Sequence, residues 1–138
     1  MNPYYSESGI TLYCAKAEEV VPRLPAEHFT VLVLDPPYTC RLDQQAEILL
    51  PFAHCLSDAV AVLILGLGMP TVAEFGHPHA RPLDRMREVL EKTSGPILDP
   101  YAGVGSTLIA AKQLGREAVG IEMDEKRCAV IVERLRAA

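Results

Sequence analysis

Residues 97–107 read Ile97-Leu98-Asp99-Pro100-Tyr101-Ala102-Gly103-Val104-Gly105-Ser106-Thr107, and helix formers follow to Leu114. Ile97 and Leu98 make a very short buried strand, because Pro100 cannot continue a sheet ladder. Gly103 and Gly105 let the backbone bend tightly and approach a ligand without a Cβ in the way. The helix beginning at Ser106 offers unpaired N–H groups and a partial positive charge, suited to a carboxylate or phosphate. Gly115 stops that helix, and Ala118 to Ile121 reads as the next strand. Glu122 follows at once, twenty-three positions beyond Asp99, placed to accept hydrogen bonds from both hydroxyls of a ribose. Strand, glycine turn, helix, strand and acid in register predict a mononucleotide-type half site.

Two better-known nucleotide sites are excluded. The dinucleotide fingerprint needs a third glycine where this chain has Leu108, and a P-loop needs a Gly-Lys-Ser/Thr that is absent. A ligand with an adenosine end and an amino-acid end, such as S-adenosyl-L-methionine, fits the pattern better.

Outward from this stretch, strands and helices alternate. Ile10 to Tyr13, Val31 to Leu34, Val60 to Leu65, Ile97-Leu98 and Ala118 to Ile121 are the five strand candidates. Helical segments are expected at Glu18 to Leu24, at Gln44 to Leu56 with Pro51 as a kink or break, after Pro82, at Ser106 to Leu114, and from Asp124 onward. The last carries Cys128, Ile131, Val132 and Leu135 on one face. This alternation predicts an α/β fold, a mostly parallel sheet with helices on both faces.

With 138 residues, 49% hydrophobic and 22% charged, the chain suits one domain with a single three-layer core. The longest apolar run, Ala59 to Leu67, is too short to span a bilayer. Met1 to Ser8 has no signal-peptide character, so a cytoplasmic location is expected, without a membrane partner. Cys14, Cys40, Cys55 and Cys128 lack metal-ligand spacing and read as reduced, packed thiols; His77 and His79 have no companion ligands, so no metal site is expected. Net charge of -5 argues against strong non-specific nucleic-acid affinity, which comes mainly from phosphate neutralisation. Arg81, Arg85 and Arg87 form one candidate basic cluster, against the blander reading of a solvated helix face.

A second constellation lies upstream. Asp35-Pro36-Pro37-Tyr38 follows the apolar run Val31-Leu32-Val33-Leu34, and the prolines force the chain out of the sheet there. One carboxylate, one rigid turn and one aromatic ring thus gather at a strand's carboxyl end, where open α/β sheets bind ligands. Such a stiff acceptor pair beside a flat ring suits a planar nitrogen base; an ordinary strand-ending turn is the competing reading.

Together these residues resemble the amino-methyltransferases that modify exocyclic nitrogens of DNA bases, the N6-adenine and N4-cytosine family. Its catalytic DPPY motif is matched at 35–38, and its cofactor loop D-P-F-x-G-x-G-T by DPYAGVGST at 99–107. GIEMDEKRC at 120–128 is similar to the ribose-binding strand and helix, and HPHARPLDRM at 77–86 to the segment beside the methionine end of the cofactor. ITLYCAKAEEVVPRLP at 10–25 resembles the strand and turn bordering the cofactor adenine. Catalytic motif before cofactor loop is the circularly permuted order of the beta group. Residues 1–76 would then be a catalytic half and 77–138 a cofactor half of one domain. The interval 39–76 is too short for the family's target-recognition region, as in short phage or prophage forms.

The resemblance implies a Rossmann-like S-adenosyl-L-methionine-dependent methyltransferase fold, with strands ordered first, fifth, fourth, second, third. It implies a catalytic set of Asp35, Pro36, Pro37 and Tyr38. It assigns cofactor contacts to Asp99, Tyr101, Ala102, Gly103, Gly105, Ser106, Thr107, Glu122, Lys16, Arg81 and Pro82. The substrate would be DNA with a flipped base, adenine favoured over cytosine by Asp35. Lys16 stands where the family usually has an acid, Tyr101 replaces phenylalanine and Val104 replaces serine. The third strand would be a free edge that a second copy or a partner protein could cover. Competing readings are a cofactor-binding remnant or partner-dependent subunit, and an RNA or small-molecule methyltransferase.

Overall fold

The computed structural model describes residues 1–34, 50–64 and 83–138, of which 58–64 are described by backbone alone. Among the described residues six strands belong to one sheet. In chain order they are β1 (Tyr5–Glu7), β2 (Ile10–Cys14), β3 (Phe29–Leu34), β4 (Leu56–Ile64), β5 (Ile97–Asp99) and β6 (Ala118–Glu122). The sheet order is β1-β2-β6-β5-β3-β4, and every pairing is parallel except β1 with β2. The order expected for the five strands read from sequence is the order found, with one further strand at its edge.

That further strand was not legible as an element of its own. Tyr5–Glu7 pairs antiparallel with β2 through a two-residue turn in which Ser8 (φ 54°) and Gly9 (φ 79°) are both left-handed. Left-handed backbone at both central positions matches the right-handed twist of a hairpin, and Ser-Gly between short alternating runs was its signal.

The strands bury alternate residues on opposite faces, as their period of two requires. Val31, Val33, Ile97 and Ala118 pack against α2 (Leu83–Glu91), α3 (Ser106–Gln113) and α4 (Glu125–Ala137), through Met86, Leu90, Leu108, Ile131 and Leu135. Leu32, Leu34, Leu98, Val119 and Ile121 face the other way, onto Ala17, Val20, Val21, Leu24, Phe52 and Cys55. These belong to α1 (Ala17–Val20) and to two 3₁₀ turns, Val21–Arg23 and Leu50–Cys55. A three-layer α/β sandwich results.

Several element boundaries differ from the sequence reading. The strand expected from Val60 begins at Leu56, since Leu56 pairs with Phe29 across an irregularity between Phe29 and Val31. Polar Ser57 and Asp58 hid that start. Leu50–Cys55, the described end of the helix expected over 44–56, is a 3₁₀ turn. Pro51 lacks the N–H that an α-helix interior needs. Glu18 to Leu24 likewise divides at Pro22 into α1 and a 3₁₀ turn.

The topology fixes where a ligand can bind. β5 is followed through α3 by β6 on one side, whereas β3 and β4 lie on its other side. Leu32 is level with Leu98, so β3 and β5 end at the same margin of the sheet. The strand order reverses between β5 and β3, and open α/β sheets bind ligands at such a switch point.

Candidate functional site

The site grows from the carboxyl ends of β2, β5 and β6. Beyond β5, the Asp99 carboxylate is buried and its Oδ1 accepts the Tyr101 N–H (3.1 Å), closing a tight turn. The Ala102 N–H then donates to the Ile121 carbonyl (2.8 Å) and the Gly105 N–H to the Ala102 carbonyl (2.8 Å). These bonds weld the glycine loop to β6. Arg134 of α4 adds a third tie, its guanidinium donating to the Val104 carbonyl. Burial lowers the pKa of Arg134 from its ordinary value.

Glu122 closes the other side. The residue is 6% exposed; its carboxylate Oε2 accepts from the Gly103 N–H (2.9 Å) and Oε1 from the Asp124 N–H (2.9 Å). Asp124 in turn caps α4 by accepting from the Lys126 and Arg127 N–H groups. Each Glu122 oxygen therefore holds one backbone donor and keeps a lone pair for a ligand. The Cys128 thiol donates to the Glu122 carbonyl (3.3 Å), and burial pushes its pKa up.

The two glycines of the loop do different work. Both are left-handed, at φ 58° for Gly103 and φ 84° for Gly105. Among the described residues, a Cβ on Gly103 would meet only the Tyr101 carbonyl, 4.0 Å away, so that face is open to them. A Cβ on Gly105 would stand 2.9 Å from both Cγ atoms of Ile131. Gly105 thus lets α4 pack against the loop, and Gly103 alone keeps backbone bare toward the cavity.

That cavity measures about 550 Å³ and is walled by Ala15, Lys16, Ala17, Glu18, Pro100, Tyr101, Gly103, Ile121, Glu122, Met123 and Arg127. Its volume falls in the usual range for a small-molecule site. Of the cofactor residues expected from sequence, Lys16, Tyr101, Gly103 and Glu122 line it. Asp99, Ala102, Gly105, Ser106 and Thr107 are buried and do not line it. Arg81 and Pro82 lie outside the described residues, as does the whole catalytic set Asp35, Pro36, Pro37 and Tyr38.

Sequence reasoning missed four notable wall residues. Met123 and Arg127 follow Glu122, one directly and one in the first turn of α4; Glu18 stands two positions after Lys16, and Pro100 opens the loop. Tyr101, half exposed, meets Phe52 edge-on at 6.5 Å. Burial, and then the negative charge of Glu18, raise its phenol pKa. The basic cluster resolves into a solvated face where it is described: Arg85 pairs with Glu88 and Arg87 with Glu91 along α2.

Comparison with known proteins now shows what this chain is similar to. Residues 67–133 match the family model described as DNA methylase. Over that stretch the chain is similar to the DNA methylase family. The type II methyltransferase M.ScaI of Streptomyces caespitosus is 35% identical over 75 residues, covering 52% of this chain and 25% of that protein. The match to M.HindIII of Haemophilus influenzae is 37% over 62 residues, 43% of this chain and 20% of that one. The chain thus spans a quarter or less of these DNA methylase relatives. In fold it is similar to M1.HpyAVI in its SAM complex, with a TM-score of 0.68 at 16% identity, over 91% of this chain and 99% of the other.

Proposed function

We propose that this chain transfers a methyl group from S-adenosyl-L-methionine to the exocyclic amine of a DNA base, adenine N6 in preference to cytosine N4. The observation that carries the reading is the Glu122 carboxylate, held by the Gly103 and Asp124 amides at the mouth of a cavity whose loop face is bare glycine. Two hydroxyls of a ribose can each be accepted by one Glu122 oxygen without displacing either amide. Tyr101 and Met123 offer flat and polarisable surface for an adenine ring. The residues present therefore suit the cofactor's nucleoside.

When bound, S-adenosyl-L-methionine supplies a methyl group on a sulfonium, ready for in-line displacement. The protein's task is to make the amine a nucleophile. An exocyclic amine shares its lone pair with the ring, and acceptors for its two hydrogens draw that pair back onto nitrogen. Asp35 carboxylate and Pro36 carbonyl are the acceptors in this reading, with Pro37 holding the turn rigid and Tyr38 stacking on the flipped base. Asp35 need not be a strong base, since the amine proton becomes acidic only after transfer. Arg81 and Pro82 would flank the methionine end. Orientation across the crevice between β3 and β5 provides much of the acceleration.

A partner belongs to the same reading. β4 is the outer strand of the described sheet, so a second copy or another protein could pair with it. Lys16 on the cavity wall favours a second reading, a cofactor-binding subunit that needs such a partner for transfer.

The base is decided by labelling. DNA incubated with methyl-labelled cofactor and hydrolysed to nucleosides is expected to carry label in N6-methyladenine. Label in N4-methylcytosine would refute the adenine assignment alone.

A further inference from the structure

Two cysteines meet at the Glu122 carbonyl. Cys14 ends β2 in register with Glu122, and its half-buried side chain packs into the core cluster that holds the fully buried Cys128. Both side chains therefore lie on the face of the sheet that α4 covers. The Glu122 carbonyl accepts the N–H of Ala15 (3.0 Å), the residue after Cys14, and also the Cys128 thiol (3.3 Å). Cys128 stands in the first turn of α4, where its N–H donates to the Asp124 carbonyl (2.9 Å). The Asp124 N–H in turn donates to Glu122 Oε1 (2.9 Å). A bonded path thus runs from the Cys128 sulfur to the carboxylate on the cavity wall. Each cysteine also adjoins a residue of that wall, Cys14 beside Ala15 and Cys128 beside Arg127. Among the described residues no third ligand joins the pair to make a metal site.

We propose that Cys14 and Cys128 form a redox-modification site, oxidised by hydrogen peroxide to a reversible disulfide that releases the Glu122 brace. The Cys14 sulfur, nearer to solvent, attacks the peroxide: an S–O bond forms, the O–O bond breaks, and one oxygen leaves as water. The Cys128 sulfur then displaces the second oxygen from this sulfenic acid as water, so that S–S forms while S–O breaks. In all, two thiols give up two electrons and two protons, and the peroxide becomes two waters. Burial, and then the neighbouring Cys14 thiol, raise the pKa of Cys128, which suits it to the second step rather than the first. The new bond takes the Cys128 S–H from the Glu122 carbonyl and draws the first turn of α4 toward β2. Asp124 moves with that turn, so its amide leaves Glu122 Oε1 and the carboxylate loses its fixed orientation. The device acts on the cavity whatever ligand fills it.

Peptide mapping by mass spectrometry and amide hydrogen exchange by NMR test this on the full chain. It is compared reduced, treated with hydrogen peroxide, and treated and then returned to dithiothreitol. Cys14→Ala under the same peroxide controls for oxidation of exposed methionines such as Met123, and thermal unfolding checks that the variant keeps the fold. The expected result is a Cys14–Cys128 bridge in the peroxide-treated wild type. Exchange of the Asp124 amide should rise roughly tenfold with it, as for one lost hydrogen bond to a charged group. Both changes should reverse in dithiothreitol and be missing from Cys14→Ala. No bridge between the two in the folded wild type, or a bridge from either to Cys40 or Cys55, would overturn the site. A Cys14–Cys128 bridge with Asp124 exchange unchanged, or an equal rise in Cys14→Ala, would overturn its action on Glu122.

Discussion

The Gly103 amide donates to Glu122 Oε2 over 2.9 Å, which joins the loop after β5 to the end of β6. One carboxylate thereby serves as a brace and, in the function proposed above, as the ligand acceptor. Replacing Glu122 by Ala leaves the Gly103 and Asp124 amides without their partner. The expected loss is about 1–3 kcal/mol in urea unfolding, together with loss of calorimetric binding of S-adenosyl-L-homocysteine. Glu122→Gln should recover part of the stability and less of the binding, since an amide offers one acceptor oxygen instead of two.

The glycines should separate packing from binding. Gly105→Ala forces a Cβ to within 2.9 Å of Ile131 at a left-handed φ, and about 2–4 kcal/mol of destabilisation is expected. Gly103→Ala meets only open space and should cost about 1–2 kcal/mol from its backbone angle alone. Ligand affinity per folded molecule should nevertheless fall more in Gly103→Ala, because its methyl group enters the cavity. Equal unfolding midpoints for the two variants would contradict this division.

Arg134 should act on the loop from behind. Arg134→Met removes the donor to the Val104 carbonyl while keeping most of the side chain's apolar stem. About 1–3 kcal/mol of stability should be lost. Amide hydrogen exchange should rise in the loop 100–105 and stay unchanged in the β1–β2 hairpin. Uniform exchange across both would argue against a specific tie.

Alkaline pH should weaken the fold. Burial raises the pKa of Cys55 and Cys128 above 9.0 and of Tyr5 and Tyr101 above 10.0, the values proper to an unfolded chain. Between the unfolded and folded values the unfolded chain has released protons that the native chain still holds. Stability is thus fully present below pH 9.0 and declines as pH rises above it. Urea midpoints across that range provide the check. A midpoint that rises with pH would contradict the burial of these groups.

The parallel core was legible in sequence because its strands end in hard stops. Pro36 and Pro100 fix two carboxyl ends, and Glu122 breaks a third apolar run. Those stops, with the glycine turn between Asp99 and Ser106, were enough to order five strands. β1 escaped because three residues, Tyr5 to Glu7, carry too little alternation to register, and only the left-handed pair Ser8-Gly9 betrays them. The start of β4 escaped because pairing with Phe29 overrides the polarity of Ser57 and Asp58. At the site, motif spacing singled out Glu122 and Gly103, and both line the cavity. It could not separate the packing role of Gly105 from the cavity-facing position of Gly103, since both depend on what a missing Cβ would touch. Glu18 was invisible for a similar reason: only the folded turn puts it on the cavity wall beside Lys16.

The central claim is that the cavity at Glu122 supplies a methyl group to an amine held by the motif Asp35 to Tyr38. Transfer of tritiated methyl from S-adenosyl-L-methionine to unmethylated DNA, compared between wild type and Asp35→Ala, tests it most directly. Cofactor binding is measured calorimetrically on the same preparations. The expected result is label in wild-type reactions and its loss in Asp35→Ala, with cofactor affinity unchanged. Undiminished transfer by Asp35→Ala, or no transfer by a wild type that binds the cofactor, would contradict it.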